Sequence, residues 1–299
     1  ESDRVHLRSG ALNGVSTGMP IELEIFNEDA DSSKYEDIKD KWRPGHADYT
    51  FDMKYGLRDY RGSGRASGRE TAARVAGGAV AKLVLRTFDI DIFAFTRAIG
   101  DIEARTIDRA EIEQNIVRSP DKDAAVKMIE LIKQLKDNHD SIGGVVELRI
   151  LNMPPGLGDP VFNKFDAAMA YAIVGLGAVK GVEIGAGFEA AKMKGSENND
   201  AFIMKGDRVG TATNHAGGVL GGITTGEEFL LRAAVKPPAS IGIEQHTLTK
   251  NSQPATILVE GRHDPTIVPR IVPVVESMAA IVVVNFLLAQ KSIEGFKIQ

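Results

Sequence analysis

The alternation of apolar and polar residues along the chain predicts several short β-strands. Residues 21–26, Ile-Glu-Leu-Glu-Ile-Phe, alternate strictly, as the residues of a half-buried strand do. Further strands are predicted over residues 144–150, 229–235 and 255–260. Because strands and helices follow each other without a regular strand–helix–strand rhythm, an α+β fold with antiparallel sheets is favoured over a doubly wound parallel sheet.

Helical patterns separate these strands. Ser67 and Glu70 have the spacing of a capping box, which predicts a helix, rich in small residues, that runs to about Leu85. Ser119 and Pro120 predict the start of a second helix, since proline is favoured at the first helical position. The apolar stripe predicted for this second helix is Val126, Ile129, Ile132 and Leu135.

Two further helices are strongly apolar. The first covers residues 162–176, and its predicted buried side contains Phe162, Phe165, Met169 and Ile173. Pro273 is predicted to open the last helix. Residues 274–289 form the most apolar stretch of the chain, but this stretch is shorter than the roughly 20 residues that a membrane span requires. We therefore interpret it as a buried core helix and expect no membrane association.

Composition and charge narrow the possible functions. The formal net charge of −5 and the sequence pI of about 5.8 make the whole chain a poor electrostatic partner for nucleic acid. The sequence contains no cysteine, which excludes disulfides, zinc–thiolate sites, iron–sulfur clusters and cysteine nucleophiles. We predict no metal site. The polar start of the chain is not followed by the apolar region of a signal peptide, so nothing argues for secretion.

One segment is basic although the chain as a whole is acidic. Between residues 54 and 69 the only acid is Asp59, whereas the basic residues are Lys54, Arg58, Arg61, Arg65 and Arg69. The same segment is rich in glycine and ends at a predicted helix N-terminus, and these features together favour the binding of phosphate or carboxylate. The alternative is an ordinary solvated basic loop.

Three other clusters contain candidate functional residues. His46 follows Arg43-Pro44-Gly45 and is suited to hold or donate a proton beside an anion, although a loop histidine is more often structural. Asp264 comes after the predicted strand at 255–260, where an acid is either catalytic or a turn residue before proline. Residues 214–222 are dense in glycine, which suits a close approach to a ligand or a series of turns. These clusters indicate an enzyme or binding protein for a polyanionic small molecule.

The order and content of these blocks resemble the chorismate synthase family. The matching blocks are residues 43–50, 54–62, 65–71, 178–185, 195–199, 214–222, 261–265 and 268–270. The resemblance extends from about residue 3 to residue 290 and implies a single domain, residues 1–299. The implied fold is a central layer of helices between antiparallel β-sheets, assembled as a homotetramer in the cytoplasm.

The resemblance also implies the chemistry, that of a lyase in the shikimate pathway. The substrate would be 5-enolpyruvylshikimate 3-phosphate, from which an anti-1,4-elimination removes the 3-phosphate and a C6 hydrogen to give chorismate. Reduced FMN would be required although the reaction has no net redox change. The reductant would be NADPH, used directly or through a separate reductase.

Residues that match the family's motifs take their roles from the same resemblance. His46 would lie beside the reduced flavin and Asp264 near its N5, and both would be catalytic. The substrate's phosphate and carboxylates would be bound by Arg43, Arg69 and Arg262. The residues that would bind FMN are Arg65, Ala66, Ser67, Gly177, Ala178, Gly221, Lys236, Pro237, Pro238, Ala239, Ser240 and Arg262.

The chain also departs from the family pattern. It has Ala66 where the family usually has Ser and Gly177 where the family usually has Asn, and both changes touch the flavin site. The family's Gly-Glu-Ser-His-Gly loop, whose histidine protonates the leaving phosphate, does not occur before Ser9-Gly10. If the 299 residues are the whole polypeptide, we expect very weak or no turnover. The alternative function is then that of an FMN-binding but catalytically impaired fragment, or of a non-lyase flavoprotein.

Overall fold

The computed structural model describes residues 3–27, 36, 38–61, 67–259 and 264–294, and the chain divides into two compact units. Unit 1 contains Glu1–Ala76, Ile129–Ile142 and Pro237–Ile267, and unit 2 contains Gly77–Met128, Gly143–Lys236 and Val268–Gln299. Each unit is therefore built from stretches that are separated in the sequence. The single domain expected from the sequence stays a prediction.

Antiparallel strands and helices make up both units. Within the described ranges, the α-helices are α1 (Asp48–Tyr55), α2 (Thr71–Arg86), α3 (Lys122–Asp137), α4 (Phe165–Val174), α5 (Gly195–Asn198) and α6 (Val268–Glu294). The strands are β1 (Val5–Ser9), β2 (Ala11–Leu12), β3 (Val15–Ser16), β4 (Glu22–Ile25), β5 (Asp91–Ile99), β6 (Ile102–Glu103), β7 (Gly144–Leu151), β8 (Val179–Ile184), β9 (Phe202–Lys205), β10 (Arg208–Thr211), β11 (Val219–Leu220), β12 (Ile223–Thr224), β13 (Phe229–Val235), β14 (Gln245–Leu248) and β15 (Pro254–Ile257).

The largest sheet belongs to unit 2 and has the strand order β6-β5-β7-β13-β8. Every pairing in this sheet is antiparallel. Two-stranded antiparallel pairs join β1 to β4, β2 to β3 and β14 to β15 in unit 1, and β9 to β10 and β11 to β12 in unit 2. The α+β class predicted from the sequence is confirmed, and the four predicted strands correspond to β4, β7, β13 and β15.

The core of unit 2 lies where α6 and α4 pack against the sheet. Phe165 of α4 contacts Phe229 of β13 and Phe286 of α6, with 5.3 Å between the ring centroids in each pair. Helices α2 and α6 approach so closely that a Cβ at Gly78 would lie 2.2 Å from the Cβ of Ser277. The small residues of α2 therefore serve close packing inside the core.

Helix α6 is a core helix, as its apolar sequence predicted. It is long and apolar enough to cross a membrane by length and composition, but 61% of its most apolar window is buried within the protein. It begins at Val268, so the prediction that Pro273 opens it was wrong. Pro273 has no N–H to offer the carbonyl of Pro269, which instead accepts a hydrogen bond from Nη1 of Arg118 at 3.3 Å. This contact lets proline lie inside the helix.

The other predicted helices form with shifted boundaries. Ser67 accepts the N–H of Arg69 at 3.2 Å in a short 3-10 turn before α2, but Glu70 pairs with Arg74, so only half of the predicted capping box forms. Ser119 and Pro120 precede α3, which is capped instead by a carboxylate at position 121.

Two predicted apolar stripes are also corrected. In α3, Val126 is 62% exposed, and the buried side is formed by Ala124, Ala125 and Met128. In α4, the side chains Phe165, Met169 and Ile173 are buried as predicted, whereas Phe162 precedes the helix and is 96% exposed.

Candidate active site

The predicted site residues are distributed over both units. Unit 1 carries Arg43, His46, Ser67, Arg69, Pro237, Pro238, Ala239, Ser240 and Asp264, and unit 2 carries Gly177, Ala178, Gly221 and Lys236. Arg65, Ala66 and Arg262 lie outside the described residues. Each unit thus contributes its own set of candidate groups.

In unit 1, a tight turn leads from Arg43 into α1. Gly45 has a positive φ of 69°, and the N–H of His46 donates to the carbonyl of Arg43 at 3.2 Å, which closes the turn. Asp48, in the first turn of α1, accepts the backbone N–H of Arg43 at 3.1 Å. The turn and the helix start therefore hold the side chains of Arg43, His46 and Asp48 in one small region.

Asp48 is the centre of a buried charge cluster. Its carboxylate accepts two hydrogen bonds from the guanidinium of Arg43, at 2.8 Å from both Nε and Nη2. Nη1 of Arg58 lies 2.6 Å from the same carboxylate. The side chains of Asp48, Arg43 and Arg58 are 2%, 6% and 6% exposed. Two buried arginines therefore share one carboxylate.

A second carboxylate completes the surroundings of Arg58. Asp52 accepts the indole N–H of Trp42 at 2.7 Å and lies 3.8 Å from Nε of Arg58. Nη2 of Arg58 also donates to the carbonyls of Lys39 and Lys41. The formal charges of two arginines and two aspartates cancel, which is the condition under which buried charges are tolerated.

These contacts correct the interpretation of the basic segment. Arg58 is buried against Asp48, and Arg61 forms an ion pair with Asp59 at 3.0 Å. The guanidinium of Arg58 is therefore committed inside unit 1, and this residue is not part of a solvated basic loop. The sequence showed the excess of basic residues but not the acids that the fold brings to them.

His46 contacts the same carboxylate. Its Nδ1 lies 3.1 Å from Oδ1 of Asp48 and 3.2 Å from Nη2 of Arg43, and its side chain is 20% exposed. Burial alone raises the pKa of Asp48, but hydrogen bonds from Arg43, His46 and Arg58 outweigh burial and hold that pKa well below its ordinary range. Because Nδ1 faces the cluster, Nε2 lies on the opposite edge of the ring, where a proton could be exchanged with a ligand.

The predicted segments of unit 1 meet near this turn. A Cβ at Gly45 would lie 3.3 Å from the Cβ of Ala239, which places the turn beside residues 237–240. Ser141 donates its hydroxyl to the carbonyl of Pro238 at 2.8 Å, and Ile142 donates its N–H to the carbonyl of Pro265 at 2.8 Å. Residues 141 and 142 therefore connect the predicted flavin segment to the chain that follows Asp264.

Arg69 lies at the start of α2 and points toward the strand pair β1–β4. Its Nη1 forms an ion pair with Asp3, and its Nη2 donates to the carbonyl of Phe26 at 3.0 Å. Asp3 precedes β1 and Phe26 follows β4. A substrate anion at Arg69 would therefore have to compete with the carboxylate of Asp3.

In unit 2, the pairing of β8 with β13 joins two predicted flavin segments. Val179 is the register partner of Val235, and the N–H of Lys236 donates to the carbonyl of Ala178 at 2.9 Å. Ala178 has a positive φ of 70°, which is uncommon outside glycine. The structure therefore brings Ala178 and Lys236 together at one end of the sheet.

Lys180 is a further basic group at this end of the sheet, and the sequence analysis gave it no role. Burial lowers the pKa of Lys236, and the positive charge of Lys180 lowers it further. The register of β8 against β13 makes these two lysines neighbours, which no local sequence pattern shows. A phosphate dianion would offset the repulsion between the two ammonium groups.

Gly221 lies at a different place in unit 2. Gly221 and Gly222 form the turn between β11 and β12, and the carbonyl of Gly222 accepts the N–H of Phe165, the first residue of α4. Gly177 comes after the opposite end of α4, a helix of 10 residues and thus about 15 Å in length. An FMN that touched both Gly221 and Gly177 would have to extend along α4.

Comparison with known proteins decides the family. The family model described as chorismate synthase matches residues 1–288. This chain belongs to the chorismate synthase family. The recognition made from the sequence blocks is confirmed, and the chain is accordingly an enzyme of the carbon–oxygen lyases that act on phosphates.

Individual chorismate synthases match nearly the whole chain. The protein of that name from Chloroflexus aurantiacus is 52% identical over 292 residues, which are 97% of this chain and 80% of the relative. That from Archaeoglobus fulgidus is 51% identical over 296 residues, which are 97% of this chain and 82% of the relative. A crystal structure of a chorismate synthase matches with a TM-score of 0.76 at 32% identity, over 96% of this chain and 78% of that one.

Asp48 was not among the predicted site residues although it lies in a block typical of chorismate synthases. Of residues 43–50, only Arg43 and His46 were predicted to act in the site, because their side chains suit anion and proton chemistry. An acid so close to two such groups was the available signal, since a carboxylate is their natural partner. The contribution of Arg58 to the same carboxylate was not visible, because it depends on the path of the chain after α1.

Proposed function

We propose that this chain catalyses the chorismate synthase reaction, the anti-1,4-elimination of phosphate from 5-enolpyruvylshikimate 3-phosphate with reduced FMN. The family match over residues 1–288 carries the proposal. The turn that presents Arg43 and His46 beside residues 237–240 supports it, because this part of unit 1 gathers an anion-binding group, a proton-carrying group and a predicted flavin segment.

The described residues suit a phosphorylated flavin. Lys236 and Lys180 offer two neighbouring cations for a phosphate, and Ala178 has the positive φ of a tight turn beside them. A Cβ at Gly177 would meet nothing within 4 Å, so the backbone there is open to a ligand. Ser67 and residues 237–240, with Gly221, complete the described part of the proposed FMN set, to which the resemblance adds Arg65, Ala66 and Arg262.

The proposed roles follow from the chemistry of the substrate. The C3–O bond breaks with its electron pair leaving on phosphate, the C6 hydrogen is lost, and a second ring double bond forms without net oxidation. Reduced FMN, when bound, supplies electron density to the departing phosphate and takes up the C6 hydrogen. His46 would hold or donate a proton through Nε2, and Asp264 would act near the flavin N5.

The arginines would bind the anionic groups of the substrate. Arg43, whose Nε and Nη2 donate to Asp48, is proposed to bind a carboxylate or the phosphate of the substrate. Arg69 would exchange Asp3 for a substrate anion, and Arg262 remains a predicted ligand for both substrate and flavin. A homotetramer, a cytoplasmic location and NADPH as the reductant, direct or through a reductase, are part of the proposal.

An anaerobic assay of the protein tests this function. With chemically reduced FMN and 5-enolpyruvylshikimate 3-phosphate, we expect phosphate release and formation of chorismate at equal rates. Tight FMN binding without phosphate release would support the alternative, a non-lyase flavoprotein. Absence of any FMN binding would contradict both functions.

A further inference from the structure

One carboxylate organises every charged group of the turn that enters α1. Asp48 accepts the backbone N–H, Nε and Nη2 of Arg43, lies 3.1 Å from Nδ1 of His46 and lies 2.6 Å from Nη1 of Arg58. Its side chain is 2% exposed. A group so buried, with its partners on all sides, has no room to contact a substrate itself.

The geometry of this carboxylate fixes two side chains independently. Two parallel bonds to Arg43 hold the plane of the guanidinium, because a bidentate pair permits little rotation. The contact with Nδ1 of His46 sets which edge of the imidazole faces the cluster and which edge faces away. Arg58 meets the same carboxylate through Nη1 alone, and its Nη2 donates to the carbonyls of Lys39 and Lys41, so we interpret it as a counter-charge.

We propose that Asp48 is a positioning residue of the reaction: it holds the imidazole of His46 at Nδ1 and the guanidinium of Arg43 at Nε and Nη2 in one fixed arrangement. This inference rests on the proposed function, in which His46 and Arg43 meet the ligands. The rival explanation is that Asp48 only neutralises two buried arginines and contributes nothing to the orientation of His46.

Chemical modification of His46 separates these explanations, and the measurement does not depend on catalytic activity. Diethyl pyrocarbonate modifies neutral imidazole, so we take as the modification profile of His46 its rate of modification at an alkaline pH, followed by peptide mass spectrometry. Under this condition the profile reports how the ring is presented to the reagent. In Asp48→Asn the contact with Nδ1 is weakened while Arg43 and Arg58 stay charged. If Asp48 holds the ring, we expect the rate to differ from that of wild type, and if Asp48 is only a counter-charge, the rate stays the same.

A double variant controls for the possibility that Asp48→Asn simply fails to fold. Asp48→Asn leaves two arginines facing an amide, whereas Asp48→Asn combined with Arg58→Gln restores the charge balance and should recover most of the lost thermal stability. If Asp48 positions His46 and Arg43, this double variant still has a kcat about 10²-fold below that of Arg58→Gln alone. If Asp48 serves only as a counter-charge, the two kcat values agree within about threefold, which would overturn the proposal.

Asp121→Asn provides the matched control. Asp121 is also buried, at 8% exposure, but its partners are the backbone N–H groups of Arg105, Thr106 and Ala124. We expect this variant to lose stability and to leave the modification profile of His46 unchanged. An unchanged profile in Asp48→Asn as well would refute the proposal. If the wild-type protein releases no phosphate, the proposed function fails, and the modification profile still decides whether Asp48 holds His46.

Discussion

Two aspartate–histidine pairs, one in each unit, show that the same two residue types serve different purposes. Asp48 lies 3.1 Å from Nδ1 of His46 in unit 1, and Asp200 lies 3.3 Å from Nδ1 of His215 in unit 2. The two carboxylates are similarly buried, with side chains 2% and 5% exposed. Distance and burial alone would therefore assign both pairs the same role.

The remaining partners of the two carboxylates differ. Asp48 is surrounded by the guanidinium groups of Arg43 and Arg58, whereas Asp200 accepts the hydroxyl of Thr213 at 2.6 Å. Asp200 also accepts the backbone N–H groups of residues 215 and 216, at 2.8 and 2.9 Å. Asp48 thus holds charged side chains in place, whereas Asp200 holds the backbone of residues 215 and 216 in place. The partners of a carboxylate, more than its distance from a histidine, indicate its function.

The largest effect that this comparison predicts is on turnover. His46→Ala removes the ring that Asp48 holds, and we expect kcat for phosphate release to fall by about 10²–10⁴-fold with the fold intact. His215→Ala removes a ring whose Nδ1 contacts the carbonyl of Asn198, and we expect a loss of about 1 kcal/mol of stability as its main effect. Equal losses of kcat in the two variants would break the distinction between the pairs.

The second effect is on stability in unit 1. Asp48→Ala leaves Arg43 and Arg58 as buried charges without their shared carboxylate, and we expect the free energy of unfolding to fall by about 3–5 kcal/mol. Urea denaturation followed by circular dichroism measures this loss. A decrease below about 1 kcal/mol would mean that water reaches the two arginines and that the cluster is less tightly closed than the structure shows.

A smaller loss is expected from the corresponding change in unit 2. Asp200→Ala removes three hydrogen bonds, one from the hydroxyl of Thr213 and two from backbone N–H groups. Because these donors are neutral, we expect the free energy of unfolding to fall by about 2 kcal/mol. Hydrogen exchange should show faster exchange at the amides of His215 and Ala216, because these N–H groups lose their acceptor. If exchange at these amides is unchanged, the carboxylate does not hold the loop as described.

The loop that contains His215 and Ala216 shows what could and could not be predicted from the sequence. The glycines of residues 214–222 were interpreted as a ligand approach or as turns, and the structure uses Gly217 and Gly218 for close contact between backbones. A Cβ at Gly185 would lie 2.1 Å from the carbonyl oxygen of His215, and a Cβ at Gly217 would lie 2.4 Å from the N of Gly185. Glycine density reports that something approaches closely, but it does not report whether that is a ligand or the chain itself.

Elements set by local pattern were predictable, whereas elements set by distant partners were not. The strand at 229–235 forms as periodicity predicted, and Phe165, Met169 and Ile173 of α4 are buried as predicted, although Phe162 is not. The start of α6 was misplaced because Arg118, far away in the sequence, satisfies the carbonyl that Pro273 leaves unbonded. The contribution of Arg58 to Asp48 was missed for the same reason, since Arg58 returns to that carboxylate only after α1.

The smallest predicted effect is on the stability of the fold at low pH. Burial raises the pKa of Asp200, but hydrogen bonds from Thr213, Ala216 and His215 outweigh burial and keep that pKa below its ordinary value. The folded state therefore binds this proton less readily than the unfolded state, so the stabilisation is present above about pH 4 and is lost as pH falls further. Asp200→Asn removes this linkage, and we expect the stability difference between wild type and variant to shrink as the pH falls from about 6 to about 2.5. Thermal denaturation at several pH values measures this difference, and a difference that stays constant with pH would show that Asp200 is not held as an anion by its donors.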